Sequence, residues 1–240
     1  MRQIHLNCDM GEGLNNEHLL MPYISACNIA CGAHAGSAEI IESTIDLALQ
    51  HGVQIGAHPS FPDRENFGRK VLELEDDLLL KSLVDQIELV AAVAKKKKAE
   101  IYHVKAHGAL YNLAAKDERT AEIVLEAVRQ SVRNAIVFVP PKSKVAALAQ
   151  KRNMQISYEV FCDRNYNEDY SLVSRQEPKA VLHHPEEVVA HVERLHQGTL
   201  RTLNGQLIPI DSDTFCVHGD NSKAIEILQV LNQQFQIEKL

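Results

Sequence analysis

The chain has 240 residues, of which 45% are hydrophobic and 24% are charged, a composition that excludes a disordered or fibrous protein. Its 25 basic and 32 acidic side chains give a formal net charge of −7, which disfavours nucleic acid and an anionic membrane surface as partners. A single α/β barrel commonly occupies this length, and no linker or internal repeat divides the chain. We therefore expect one barrel domain over residues 1–240.

Short apolar runs alternate with stretches of helical spacing, a pattern that predicts βα units around a parallel sheet. The predicted strands cover residues 4–7, 24–30, 53–57, 101–105, 135–139, 156–160 and 214–217. The predicted helices cover residues 37–50, 75–97, 118–132, 142–151, 185–196 and 222–235. Ser37 suits the amino-terminal cap of the first helix, and Gly52 suits its end. Asn204-Gly205 suits a type I′ turn, which predicts a hairpin.

Neither a secretion signal nor a membrane span is visible, because no apolar run approaches the ~18 residues that a spanning helix needs. We therefore expect a cytoplasmic protein. The cysteines are odd in number and scattered, which predicts reduced and buried thiols at Cys8, Cys27, Cys31, Cys162 and Cys216. The lysine run at residues 95–98 ends a predicted helix that begins with acidic residues. This order complements the helix dipole, so we interpret the run as a solvated helix end.

Polar residues and glycines gather at the ends of six of the seven predicted strands, where a parallel barrel builds its active site. Any one of these residues could cap a helix or pair in the core, but their joint occurrence indicates a pocket rich in acids, bases and cations. The alternation of His103, Lys105 and His107 along the fourth strand directs all three to one face. The candidate pocket residues are Asn7, Asp9, Glu12, Asn28, His34, His58, Arg69, His103, Lys105, His107, Glu159, Asp163, Arg164, His218, Asp220 and Asn221.

Nucleotide and nucleophile signatures are missing from the chain. It has no G-x-x-x-x-G-K-[ST] phosphate loop, no G-x-G-x-x-G after the first strand and no G-x-S-x-G elbow. These patterns give no sign of bound ATP or of a dinucleotide.

Seven strings of the chain resemble the LamB/YcsF family, in the family's order and over nearly the whole length. They are Leu6-Asn7-Cys8-Asp9-Met10-Gly11-Glu12, Asn28-Ile29-Ala30-Cys31-Gly32 with His34-Ala35-Gly36, Gly56-Ala57-His58-Pro59, Phe67-Gly68-Arg69, His103-Val104-Lys105 with His107-Gly108-Ala109-Leu110-Tyr111-Asn112, Asp163-Arg164 with Tyr166, and Val217-His218-Gly219-Asp220-Asn221. Ala33, Ser37 and Ala38 depart from the family's G-F-H-A-G-D-P string, which leaves the substrate preference open.

The resemblance implies a distorted seven-stranded barrel of the glycoside hydrolase/deacetylase type. It also implies the role of the A subunit in an ATP-dependent 5-oxoprolinase, with subunits B and C as partners. Such an enzyme opens the lactam of 5-oxo-L-proline to L-glutamate while ATP is hydrolysed to ADP and phosphate. On this hypothesis ATP is the cofactor, and Asp9 or Glu12 is a candidate catalytic carboxylate that orients water or Mg²⁺.

The same hypothesis gives roles to the other pocket residues. Lys105 and Arg69 are candidate cations for phosphate oxygens or for the substrate carboxylate. His58 and His107 are candidate proton carriers near neutral pH. Substrate or phosphate binding is expected of Asn7, Asn28, His34, Arg69, His103, Glu159, Arg164, His218, Asp220 and Asn221.

Two other functions stay open at this point. A metal-dependent amide or sugar N-deacetylase would need a ligand set such as Asp9, His34 and His58, or His103 and His107 with an acid. A noncatalytic carrier of a small acid or carbohydrate would need affinity without acids and bases, and the density of ionisable groups argues against it.

Overall fold

Parallel strands pair side by side until the last returns to the first, so the sheet closes into a barrel. This architecture comes from a computed structural model that describes residues 2–239. In chain order the strands are β1 (Gln3–Met10), β2 (Ala26–Ala30), β3 (Gln54–His58), β4 (His103–Lys105), β5 (Ile136–Val139), β6 (Ile156–Phe161), β7 (Thr199–Arg201), β8 (Leu207–Pro209), β9 (Thr214–Val217) and β10 (Gln236–Ile237). The barrel consists of β1 to β6 and β9, and the pairing of β1 with β9 closes it, which confirms the predicted seven-stranded barrel.

The other strands lie outside the ring. β7 and β8 form the antiparallel hairpin predicted around Asn204-Gly205, and β10 pairs with the start of β1. The predicted type I′ turn is wrong, because Gly205 has a positive φ and Asn204 does not. The helices are α1 (Glu17–Leu20), α2 (Ala38–His51), α3 (Asp76–Lys96), α4 (Gly108–Ala114), α5 (Glu118–Ser131), α6 (Lys144–Lys151), α7 (Pro185–His196) and α8 (Ala224–Gln234). All six predicted helices are confirmed, with ends that differ by at most two residues. Sequence reasoning missed α1 and α4, which are too short for a helical period to stand out.

The capping of α2 follows the prediction. The Ser37 hydroxyl accepts a hydrogen bond from the Ile40 amide at 3.3 Å, and Gly52 ends the helix in the left-handed conformation at φ 61°. The lysine run also behaves as predicted, because it ends α3 and Lys97 pairs with Glu42 and Asp46 on α2. All five cysteines are buried free thiols. Within residues 2–239, no helix is both long and apolar enough to cross a membrane.

The apolar core lies between the barrel and its helices. Side chains alternate along a strand, so Leu6 and Cys8 of β1 join that core while His5, Asn7 and Asp9 enter the barrel interior. Apolar side chains therefore fill the layer between the strands and the helices, and polar side chains fill the barrel interior. The polar interior places ionisable side chains where water is largely excluded.

Candidate active site

A chain of hydrogen bonds crosses the lower part of the barrel interior, and we call it the polar ladder. The Thr214 hydroxyl bonds the Nδ1 atom of His5 at 2.8 Å and accepts from the Asn7 amide at 2.8 Å. Asn7 accepts in turn from the amide of Asn28 at 2.8 Å, and the Oδ1 atom of Asn28 accepts from Nε2 of His103 at 2.6 Å. Each rung has one donor and one acceptor, so the ladder fixes its side chains without strain.

Gly56 makes room for the last rung of the ladder. A Cβ atom at this position would lie 2.1 Å from the His103 Nε2 atom, a distance that non-bonded atoms do not tolerate. The His103 ring stacks on Phe138 with 4.0 Å between centroids. Burial, together with the nearby charges of His5 and Lys105, lowers the pKa of His103 well below its ordinary value. His103 is therefore a neutral framework residue beneath the pocket.

Above the ladder, Lys105 is held between two carboxylates. Its Nζ atom lies 2.9 Å from Oδ1 of Asp9 and 2.9 Å from Oε1 of Glu159. The Sγ atom of Cys216 lies 3.1 Å from the same nitrogen, and the ring centre of Phe161 lies 5.2 Å away. All of these side chains are buried, so Lys105 is an internal ion-pair partner rather than an open binding cation.

The ionisation of this layer follows from its charges. Burial alone would lower the pKa of Lys105, but Asp9, Cys216 and Glu159 outweigh that effect and raise it well above its usual range. Burial would raise the pKa of Asp9, but the charges of His58 and Lys105 hold it well below its usual range. Asp9 also accepts a hydrogen bond from the Asn28 amide at 2.7 Å. Asp9 is thus a fixed carboxylate anion, and Lys105 is its fixed counterion.

His58 and His107 meet at the upper end of the interior. The His58 Nδ1 atom lies 2.7 Å from the carbonyl oxygen of Lys105, and the His107 Nε2 atom lies 2.9 Å from the carbonyl oxygen of Phe67. The remaining ring nitrogens, His58 Nε2 and His107 Nδ1, face each other at 3.0 Å. Asp9 Oδ1 lies 3.4 Å from the His58 nitrogen, and Glu12 Oε1 lies 3.4 Å from the His107 nitrogen. We call Asp9, Glu12, His58 and His107 the upper cluster.

Glu12 and His34 lie side by side at the edge of this cluster. Burial and the negative charge of Asp9 raise the pKa of Glu12 well above its usual range. Burial, with the charge of His58, lowers the pKa of His34 to about 3. The His34 Nδ1 atom bonds the Ser60 hydroxyl at 2.9 Å, and its Nε2 atom lies 3.3 Å from Glu12. Near neutral pH a neutral His34 therefore lies against Glu12, a carboxyl group that resists ionisation.

Asp163 orients a further histidine, His218, on the β9 side of the barrel. The Asp163 carboxylate accepts from His218 Nδ1 at 2.7 Å, from the His218 amide at 3.3 Å and from the Asn221 amide group at 3.1 Å. Burial opposes ionisation of Asp163, but the charge and hydrogen bonds of His218 lower its pKa. Because Nδ1 is engaged, Nε2 is the free nitrogen of His218. A ring nitrogen of His218 lies within 4.8 Å of Asp9 and of Cys216.

A charged bridge lies across the barrel mouth, and we call it the mouth clamp. Asp220 binds Arg69 at 2.7 Å and Arg175 at 3.0 Å, so it joins three separate loops. All three side chains are partly exposed. Two guanidinium groups share one carboxylate, which leaves one positive charge for an anion at the mouth.

The structure brings most of the predicted pocket residues together in and around the barrel interior, with three differences. The sequence suggests Asp9, His34 and His58 as one set of metal ligands. In the structure the ligand atoms that converge with those of Asp9 and His58 belong to Glu12 and His107. His103 cannot share a ligand set with His107, since it lies in the ladder on Asn28. Arg164 is buried but bonds the carbonyl oxygens of Ala180 and Val173, so it supports the segment after β6 rather than the pocket.

Sequence reasoning missed Thr214, Cys216, Ser60 and Arg175. Thr214 and Cys216 look like ordinary residues of an apolar strand, and only the inward alternation of β9 could have singled them out. Arg175 lies in an irregular segment with no motif. Ala33, which departs from the family's sequence pattern, lies outside the pocket. It lines a groove of about 470 Å³ together with Leu78 and Leu89 of α3.

Several known proteins are similar to this chain in sequence and in fold. Residues 4–240 match the LamB/YcsF family. The A subunit of 5-oxoprolinase from Pyrococcus abyssi (strain GE5 / Orsay) is 40% identical over 233 residues, which cover 94% of this chain and 91% of the relative. Its counterpart from Shouchella clausii (strain KSM-K16) is 39% identical over 242 residues, which cover 98% and 96%. The crystal structure of a lactam utilization protein from Thermus thermophilus is similar with a TM-score of 0.90 and 30% identity, over 100% of this chain and 99% of that one.

Proposed function

The chain belongs to the LamB/YcsF family, and on that premise we propose that it is the A subunit of an ATP-dependent 5-oxoprolinase. The proposed reaction opens the lactam of 5-oxo-L-proline to L-glutamate and hydrolyses ATP, with Mg²⁺ on its phosphates, to ADP and phosphate. Subunits B and C are the proposed partners, and the cytoplasm is the proposed location. Support comes from relatives of nearly equal length that carry the name of this 5-oxoprolinase component.

The observation that carries the proposal is the pairing of an oriented histidine with an anion site at one barrel mouth. His218 is held by Asp163, and Asp220 of the mouth clamp follows it by two residues in the same loop. Opening an amide ring needs a group that takes a proton from water and returns one to the leaving nitrogen. A single imidazole can do both in turn, and the clamp can hold the charged end of the substrate beside it.

A lactam is a resonance-stabilised amide, so water alone attacks its carbonyl carbon slowly. In the proposed sequence the terminal phosphoryl group of ATP is transferred to the lactam oxygen, which makes that carbon a stronger electrophile. Water then adds to that carbon and gives up a proton, and the C–N bond breaks to leave an acyl phosphate. A second water hydrolyses the acyl phosphate to the carboxylate of glutamate and free phosphate. The ring nitrogen must gain a proton as the C–N bond breaks.

His218 is the proposed carrier of that proton. Asp163 holds Nδ1–H of the ring and leaves Nε2 free, an arrangement that fixes both the tautomer and the orientation of an imidazole base. The hydrogen bond from the His218 amide to Asp163 adds to that orientation. Asp163 acts through His218, so it is a positioning residue.

The mouth clamp is the proposed site for the substrate carboxylate or a phosphate oxygen. Arg69 and Arg175 already converge on Asp220, so an incoming anion meets two preorganised guanidinium groups. Lys105 is not needed for this role, because its charge is balanced by Asp9 and Glu159 inside the barrel. Its proposed contribution is to hold Asp9 in place.

The deciding experiment mixes this chain with candidate B and C subunits, 5-oxoproline and ATP. Glutamate and ADP are measured together, and the expected result is their formation in equal amounts only when all three components are present. A complete mixture that forms no more glutamate than one lacking this chain would contradict the proposal. Acetate release from an N-acetylated amide or sugar by this chain alone, without ATP, would favour the deacetylase alternative.

Two variants test the assigned residues. Arg175→Met should raise the KM for 5-oxoproline or ATP at least about 10-fold, because it removes a guanidinium from the anion site. Arg129→Met is the matched control, since that arginine also binds one carboxylate but lies on the exposed side of α5. Asp163→Asn should lower kcat and change its pH profile, whereas a merely structural role would change stability alone.

A further inference from the structure

The two histidines of the upper cluster point ring nitrogens at each other. A carbonyl oxygen can only accept a hydrogen bond, so His58 Nδ1 must donate to the Lys105 carbonyl and His107 Nε2 must donate to the Phe67 carbonyl. The two remaining ring nitrogens, His58 Nε2 and His107 Nδ1, lie 3.0 Å apart. This is the spacing of two ligands of one ion, and a carboxylate oxygen lies 3.4 Å from each of them.

We propose that the upper cluster is a site for one divalent transition-metal ion, bound by Asp9, Glu12, His58 and His107. Ligand atoms bound tetrahedrally at about 2.0–2.1 Å lie about 3.3 Å apart. The distances along the cluster are 3.4 Å from Asp9 to His58, 3.0 Å from His58 to His107 and 3.4 Å from His107 to Glu12. All four ligand atoms lie within 4.8 Å of one another.

The surroundings of the two rings also fit a metal site. Histidines that bind a metal almost always donate their other ring nitrogen to a carbonyl or carboxylate, which fixes the ring and its tautomer. Both rings do so here, on carbonyl groups from different parts of the chain. The His107 ring is further fixed by stacking on His34, with 3.9 Å between centroids and 3° between planes.

The donor set points to the kind of ion. Two imidazole nitrogens with two carboxylate oxygens suit Zn²⁺ or a neighbouring transition ion, whereas Mg²⁺ prefers oxygen ligands alone. The charges also balance when Asp9 and Glu12 bind the ion as carboxylates. Asp9, Glu159 and an ionised Glu12 then carry three negative charges, and Lys105 with a divalent ion carries three positive charges.

This metal set differs from the one expected from the sequence, and it does not depend on lactam chemistry. His34 is not part of the group of converging ligand atoms. Metal binding can therefore be measured on this chain alone, whichever reaction it takes part in.

The first experiment treats the purified chain with a chelator, confirms its fold by circular dichroism and then adds Zn²⁺ or Co²⁺. We expect one equivalent to bind, as measured by titration calorimetry and by metal analysis after gel filtration. Bound Co²⁺ should give the strong visible absorption of a tetrahedral site. Binding of less than half an equivalent would overturn the proposal and would leave a proton shared between the two rings as the explanation of their contact.

Variants then locate the ion. His107→Gln and His58→Gln should weaken binding at least about 100-fold, because losing even an outer partner of a ligand costs about 10–100-fold. His34→Gln is the comparison variant, since it removes a buried imidazole that stacks on His107 and contacts Glu12 without removing a ligand, and it should weaken binding less than the two ligand variants. Equal weakening by His34→Gln and His107→Gln would overturn the assignment.

A measurement on the unaltered chain covers the case in which the variants do not fold. Nitrogen NMR of histidine-labelled protein should show Zn²⁺ shifting two unprotonated ring nitrogens, while the protonated nitrogens of the same rings stay protonated. Zn²⁺ that binds without moving any histidine nitrogen would contradict the proposal.

Discussion

Replacing Lys105 by Met should destabilise the fold far more than replacing Lys97 by Met. Lys105 contacts Asp9 and Glu159 at 2.9 Å each, and Lys97 contacts Glu42 and Asp46 at 2.8 and 2.9 Å. The two lysines therefore have the same kind and number of carboxylate partners at nearly the same distances. They differ in burial, since the Lys105 side chain is 3% exposed and that of Lys97 is 27% exposed.

The expected magnitudes follow from that difference. Removing one partner of a buried ion pair leaves an uncompensated charge and costs about 3–5 kcal/mol of unfolding free energy. Removing an exposed partner costs about 0–1 kcal/mol, because water solvates the carboxylates that remain. Adding Glu159→Gln to Lys105→Met removes one of the two stranded carboxylates and should recover at least about 1 kcal/mol.

The assay is urea unfolding at neutral pH, followed by circular dichroism, on the parent chain and the three variants. The slope of unfolding free energy against urea should stay constant, so that the midpoint reports stability. A difference of less than about 1 kcal/mol between the two single variants would refute the argument that burial decides the strength of this ion pair. Failure of Glu159→Gln to recover any stability would refute the claim that its charge is stranded.

Two further changes test the framework around the site. Burial, with the charge of Arg194, lowers the pKa of His191 to about 4, below the ordinary 6.5 of an unfolded chain. The unfolded state therefore binds the proton first, so stability should fall by up to about 3 kcal/mol as pH drops from about 6.5 to about 4. His191→Leu should remove this contribution to the fall in urea midpoints, while other buried histidines such as His34 keep theirs, and His18→Leu should remove none of it. Parallel pH curves for His191→Leu and the parent would contradict the prediction. Gly56→Ala should lower the melting temperature, because its methyl group would clash with His103 and cost about 1–3 kcal/mol or more of unfolding free energy. Adding His103→Ala to Gly56→Ala should relieve part of that loss. Stability losses of the two changes that simply add would refute the clash.

The barrel could be predicted because its signals are local. Each strand is a short apolar run of the chain, and α2 carries both a capping serine and a terminal glycine, so periodicity and capping locate them without tertiary information. The short helix α4 could not be predicted in this way. It spans only Gly108–Ala114, directly after the polar end of β4, and seven residues are too few for a helical period.

The location of the pocket was also predictable, but its pairings were not. Parallel strands bring their carboxyl ends to one face, so residues such as Asp9 and Lys105 could be placed there from sequence order alone. Their contact joins positions 96 apart and depends on how the barrel closes. The same holds for the metal ligands, because His107 and not the expected His34 belongs to the upper cluster. Both histidines follow strand ends, and only the three-dimensional geometry distinguishes them.

Asn28 connects two layers of the barrel interior that differ in how their hydrogen bonds are satisfied. In the polar ladder below it, donors and acceptors alternate from Thr214 to His103, and within residues 2–239 the outer Nδ1 atom of His103 is buried without a hydrogen-bond partner. Above it, Asn28 donates to Asp9, which is held by Lys105 from a second direction. The next contact joins two ring nitrogens, His58 Nε2 and His107 Nδ1, whose rings each bond a carbonyl oxygen through the other nitrogen. The lower layer thus fixes the Asp9 carboxylate, on which the converging ligand atoms of the upper cluster depend.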